Sequence, residues 1–156
     1  MRIDVIKKEL KNQKDLIHLI KNQDGLLVEK IFKAQTYWPK GYINIEIKNY
    51  LKELLIDPVD EKLCTPDEIR DFDFIIEVSF KPGVTDNRAK STENALNFKF
   101  KNESLRIATG DLYFLKTNIS KDEVIKLANT HFSNELIQRS FVYKRDEIKN
   151  EIPIPP

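Results

Sequence analysis

The sequence predicts an α+β fold made of two consecutive strand-helix-strand-strand-helix units. Three observations lead there: apolar residues alternate with period two in short runs, they recur at helical spacing in others, and the order of these segments repeats in the second half. A chain of 156 residues has room for one domain or two very small ones. A unit of ~75 residues buries too little apolar surface to stand alone. The two units, residues 1–65 and 66–145, are therefore expected to form one pseudo-dimeric core with antiparallel sheets and helices on one face.

In the first unit, Ile3 and Val5 share a face of a strand from Arg2 to Ile6. Leu16, Ile17, Leu19 and Ile20 then cluster at helical spacing behind Asn12, a candidate cap. Leu26 to Phe32 returns to period two, and Thr36 to Trp38 reads as a second extended run that Pro39 and Gly41 turn. Ile47, Tyr50, Leu51, Leu54 and Leu55 mark an amphipathic helix ended by Asp57 and Pro58. From Val59 to Asp71 the chain is polar and broken by Pro66, with space for a short strand before the second unit.

The second unit opens on Phe74 to Phe80, apolar on both faces and hence a central strand. Lys81, Pro82 and Gly83 end it, with Pro82 and Gly83 suited to the second and third positions of a type II turn. Asp86 is placed to cap a helix carrying Ala89, Thr92 and Leu96. Leu105 to Ile107 and Leu112 to Leu115 read as two strands around Gly110. Ser120 with Glu123 forms a capping box ahead of Val124, Leu127, Ala128 and His131. Alternation from Ile137 to Tyr143 supplies the last strand. Tyr37 and Tyr113 fall at corresponding places in the two units. The tail, residues 146–156, carries Pro153, Pro155 and Pro156 and suits an extended linker or a frayed end.

Composition narrows the chemistry. Lys and Arg number 26 against 25 Asp and Glu, so no summed field favours nucleic acid. No apolar run reaches the ~20 residues that cross a bilayer, and the N-terminus lacks a signal-peptide core. With a single cysteine, Cys64, a cytoplasmic setting is expected. A nucleophilic enzyme needs a Cys or Ser beside a His and a carboxylate. Of the histidines, only His18 and His131 exist, and each lies on a helical segment and reads as a packed or half-exposed helix residue. Gly25, Gly41, Gly83 and Gly110 stand alone in separate segments, so no glycine-rich phosphate cradle can form. The pairs Asp71 with Asp73 and Asp122 with Glu123 read as caps and solvated loop charges. No residue is nominated as catalytic, cofactor-binding or metal-binding.

Surface chemistry leaves other candidates. Tyr37, Trp38 and Tyr42 surround a turn and suit either buried packing or a contact surface. Arg88 and Arg139 suit pairing with a partner's carboxylates.

The run Ile76-Glu77-Val78-Ser79-Phe80-Lys81-Pro82-Gly83-Val84-Thr85-Asp86, followed by Ala89 and Ala95-Leu96, resembles the opening of the small-subunit, PurS-type family of phosphoribosylformylglycinamidine synthase. The segment Arg106-Ile107-Ala108-Thr109-Gly110-Asp111-Leu112-Tyr113 is similar to that family's arginine, glycine and strand region. Ser120 to Phe141 looks like its closing helix and strand. Asn87 and Asp111 depart from it, standing where Pro and a basic residue are common. The first unit reads as a degraded second copy without the Pro-Gly-Val turn.

The resemblance implies a non-catalytic assembly and ammonia-channelling domain of that synthase, a ligase of purine biosynthesis. Its partners would be the synthetase and glutaminase parts, with residues 146–156 leading onward to the synthetase. ATP, Mg and glutamine would be used by the full complex and bound elsewhere than on this chain. The interface candidates are Lys81, Pro82, Gly83, Asp86, Arg88, Gly110, Arg139, Tyr37 and Trp38. Open sheet edges would also allow a homo-oligomer. The alternative is a regulatory, ACT-like module that holds a small metabolite between its units.

Overall fold

The computed structural model describes residues 2–65, 69, 71–102, 104–148, 152 and 153. In chain order the elements are β1 (Ile3–Lys7), α1 (Lys14–Asp24), β2 (Val28–Pro39), α2 (Ile45–Leu55) and β3 (Glu61–Leu63). The second half follows with β4 (Phe74–Phe80), α3 (Asn87–Phe100), β5 (Ile107–Thr117), α4 (Lys121–Leu127), a π turn at Ala128–Phe132, and β6 (Gln138–Lys144). The fold is α+β. Among the described residues the strands form one six-stranded sheet in the order β3-β1-β2-β5-β4-β6, and every neighbouring pair is antiparallel.

Each half therefore runs strand, helix, strand, helix, strand, which corrects the strand-helix-strand-strand-helix reading. The two runs expected at Leu26–Phe32 and Thr36–Trp38 are one strand, β2, and those on either side of Gly110 are one strand, β5. Two physical reasons hid this. Lys33 and Gln35 interrupt the apolar alternation of β2 on the helix-bearing face, between the groups of residues that α1 with α4 and α2 with α3 cover. Gly110 lies within β5 because a Cβ there would come within 2.6 Å of the Val78 carbonyl oxygen, so it marks a close strand approach and not a turn.

Among the described residues the four α-helices pack on one face. Ile20 of α1 and Val124, Leu127 and Ala128 of α4 and its π turn cover Ile31, Phe74, Ile76, Val78 and Leu115. Ile47 and Leu51 of α2 and Leu96 of α3 cover Ile3, Val5, Tyr37 and Ile107. The opposite face carries Ile6, Ala34, Ile75, Leu112 and Phe114 and is closed by irregular chain, namely Cys64, Ile69, Phe72 and Ile152. Tail residue Ile152 is thus buried against the sheet; Pro155 and Pro156, like Pro66, lie outside the described residues.

Local chemistry accounts for the helix starts. Asp86 caps α3 through the Ala89 amide, and Asn44 caps α2 through the Ile47 amide. Ser120 and Glu123 form the reciprocal capping box on α4. Asn12 does not cap α1; its side-chain oxygen instead accepts from the Ile31 amide and ties the loop to β2.

Candidate functional site

The end of β4 gathers most of the sequence candidates. Pro82 and Gly83 sit in a turn closed by the Val84 amide donating to the Lys81 carbonyl at 3.1 Å, with Gly83 at φ +84°. The Lys81 amide donates to the Ile137 carbonyl at 2.8 Å, which fixes the turn to the start of β6. One residue into the helix approach, Asp86 accepts from the Ala89 amide at 3.0 Å and from the Thr109 hydroxyl at 2.6 Å. The carboxylate thereby joins α3 to β5.

This turn borders a cavity of about 400 Å³. Trp38 from β2, Ala108 from β5, Ser79 from β4 and Arg139 from β6 contribute to its lining, together with Lys40, Lys81, Pro82, Gly83 and Asp86. Ser79 and Arg139 are direct cross-strand partners, as are Trp38 and Ala108. Six of the nine interface candidates, Lys81, Pro82, Gly83, Asp86, Arg139 and Trp38, thus surround one hollow.

Of the other three, Arg88 and Tyr37 lie on the helix-bearing side, while a Cβ at Gly110 would face the opposite side, beside Thr36. Arg88 donates to the Gly110 carbonyl and pairs with Asp111 at 3.4 Å, while its guanidinium sits 5.1 Å from the Tyr37 ring centre. Asp111 has an internal counter-charge in Arg88. Burial pushes the Tyr37 hydroxyl upward despite the opposing Arg88 charge, so the phenol stays neutral. Tyr37 and Trp38 are both buried, in keeping with turn packing, whereas Tyr42 is 92% exposed.

Several of the remaining sequence candidates have structural partners. His131 pairs with Asp24 on α1, and His18 is exposed. Asp71 meets Lys30 and Lys116, and Asp73 accepts from the Thr117 amide. Among the described residues no group of three or more His, Cys, Asp or Glu is placed to hold a metal ion, and no helix is long and apolar enough to cross a membrane.

Sequence reasoning passed over a second polar cluster, on the face away from the helices. Arg2 pairs with Glu77 at 2.7 Å and Asp4 at 3.1 Å, and donates to Thr36 Oγ1 and to the carbonyls of Ile152 and Pro153. Glu77 is fully buried. Burial pushes its carboxyl upward against the pull of Arg2, while Arg2 is held above its ordinary value by Asp4 and Glu77 despite its own burial. The signal in the sequence was a lone acid inside the apolar run Phe74–Phe80. Lys40 and Ser79, both on the cavity wall, carried no signal beyond their residue types.

Compared with known proteins, the chain matches no protein-family model and no curated protein.

Proposed function

We propose that this chain is a non-catalytic assembly domain of a phosphoribosylformylglycinamidine synthase, a doubled PurS-like unit that bridges the synthetase and glutaminase parts. The observation that carries the reading is the symmetry of strand order. Read from either edge, the sheet runs third strand, first strand, second strand of one half, and then the same in reverse for the other. Val5 and Val78 occupy the corresponding first strands, and Tyr37 and Tyr113 the corresponding second strands. Two fused copies joined through β2 and β5 would stand in for a small-subunit dimer, in one pseudo-twofold unit.

In this reading ATP, Mg and glutamine are handled by the partner parts in the cytoplasm, and the chain supplies surface and shielding for ammonia in transit. The turn at Lys81 to Val84 is the docking element. Lys81 is exposed and its side chain is not needed for the turn's backbone bonds. Sedimentation of the chain with the synthetase and glutaminase parts of the same organism tests this. A co-sedimenting complex that Lys81→Ala weakens, at unchanged melting temperature, is expected. Failure of the wild-type chain to associate with either part would refute the assignment, and unchanged association of Lys81→Ala would remove the turn from the interface.

A further inference from the structure

The two edges of the sheet are finished differently. At one edge β3 is three residues long, which blunts it, whereas at the other β6 runs seven residues without proline or a bulge. The Lys81 amide donates to the Ile137 carbonyl and the Arg145 amide to the Asp73 carbonyl, which sets the phase of the bonds between β4 and β6. Odd-numbered residues of β6 therefore bond β4, and Gln138, Ser140, Val142 and Lys144 turn their backbone groups away from the sheet. At the ends of this row the amides are already engaged, Gln138 with the Asn134 carbonyl at 2.7 Å and Lys144 with the Glu147 carboxylate. At its centre the N–H and C=O groups of Ser140 and Val142 bond no other group among the described residues.

We infer that β6 pairs antiparallel with β6 of a second copy of this chain, about a twofold axis at Phe141, joining two six-stranded sheets into one. Ser140 then faces Val142 of the second copy, and Val142 faces its Ser140, so all four open groups of each chain are satisfied. A second copy is the occupant because its open groups come in the same order, which antiparallel pairing matches donor to acceptor, and the twofold closes the assembly. This register also keeps like charges apart, since Arg139 faces Tyr143 and Lys144 faces Gln138. Sliding it to set Ser140 on Lys144 would oppose Arg139 to Arg145 and call on the Lys144 amide that Glu147 already holds. Phe141, half-buried in one copy, meets Phe141 of the other at a non-hydrogen-bonded site, where side chains approach most closely. The association is independent of docking in the synthase.

Sedimentation equilibrium of the purified chain from about 1 to 100 µM tests this, and a monomer–dimer equilibrium is expected. Ser140→Pro removes an outward amide and no bond to β4, and should raise the dissociation constant about ten- to a hundredfold. The register has its own test, in a Cys64→Ser background under mild oxidation. Phe141→Cys should form a disulfide-linked dimer, since facing non-hydrogen-bonded residues lie within disulfide reach. Lys144→Cys, exposed but about 20 Å from its copy in this register, should not. Circular dichroism checks the fold of each variant, and the two cysteine variants decide the matter if Ser140→Pro does not fold. A chain monomeric throughout, a dimer unmoved by folded Ser140→Pro, equal cross-linking at both cysteines, or growth beyond a dimer would overturn the inference.

Discussion

Replacing Arg2 by methionine tests how the second face of the sheet is held. The substitution keeps an unbranched apolar stem but removes the one cation that serves two buried carboxylates, Glu77 at 2.7 Å and Asp4 at 3.1 Å. With Glu77 fully buried, the loss leaves uncompensated charge in the interior, a change that costs about 3–5 kcal/mol. Against a domain stability of about 5–15 kcal/mol this is a large fraction. Glu77→Gln is the milder control: Arg2 keeps Asp4, Thr36 and two tail carbonyls, so about 1.5–3 kcal/mol is lost and part is returned by burying a neutral group. The pH dependence has a definite sign. Burial raises the Glu77 carboxyl above its ordinary 4.5, so its contribution is fully present below that value and is lost as pH rises through the folded value. Without Arg2 the opposing pull disappears and the rise grows. The deficit of Arg2→Met should therefore be greatest near neutral pH and shrink toward about pH 5. Urea unfolding followed by circular dichroism at both values measures it. A deficit under about 1 kcal/mol at neutral pH, or one that is independent of pH, would refute the account.

Three further substitutions isolate single causes, each read by the same urea unfolding. Gly83→Val should cost about 1–3 kcal/mol purely through backbone strain at φ +84°, because nothing lies within 4 Å of the added Cβ; Gly83→Asn should recover part of it. Gly110→Ala meets the Val78 carbonyl oxygen at 2.6 Å and Thr36 Cγ2 at 3.3 Å, so about 1–3 kcal/mol of overpacking is expected, and an unchanged midpoint would mean the strands part freely. Ser120→Ala removes one arm of the capping box on α4 and should cost about 1 kcal/mol.

What the sequence made legible were features decided within a few residues. Ser120 with Glu123, Asp86 ahead of Ala89, and Pro82 with Gly83 each act through bonds to neighbouring backbone, so their spacing alone specifies the outcome. The doubly apolar run Phe74–Phe80 likewise declared a central strand, and it lies between β5 and β6. What escaped depended on distant chain. Asn12 has a capping residue's chemistry but finds the Ile31 amide, nineteen residues on. Gly110 looked like a turn because the reason for its missing side chain is Val78 on another strand. The cavity was not readable for the same reason: Trp38, Ser79 and Arg139 meet only through the pairing of β4 with β5 and β6 and of β2 with β5.

Strand register also bears on the proposed doubling in a way that a residue-by-residue match misses. Val78 follows Val5 by 73 positions, and their cross-strand partners, Asp111 and Gln35, are separated by 76. The increase of three equals the extra length of α3, 14 residues, over α1, 11 residues. On the edge strands, Arg139 faces Ser79 as Lys62 faces Ile6, an offset of 77. The further step of one matches α4 and its π turn, 7 and 5 residues, against 11 in α2, and a π turn encloses one more residue than an α turn. A uniform offset would therefore slide out of phase at each helix and erase the likeness. Followed along the register, the offsets set Glu77 beside Asp4 and Gly110 beside Ala34 as well as Arg139 beside Lys62. Acid answers acid, small answers small and base answers base. In the proposed doubled unit the central ion cluster is then a shared feature of both copies, with Asp4 and Glu77 as equivalent carboxylates and Arg2 the single cation between them.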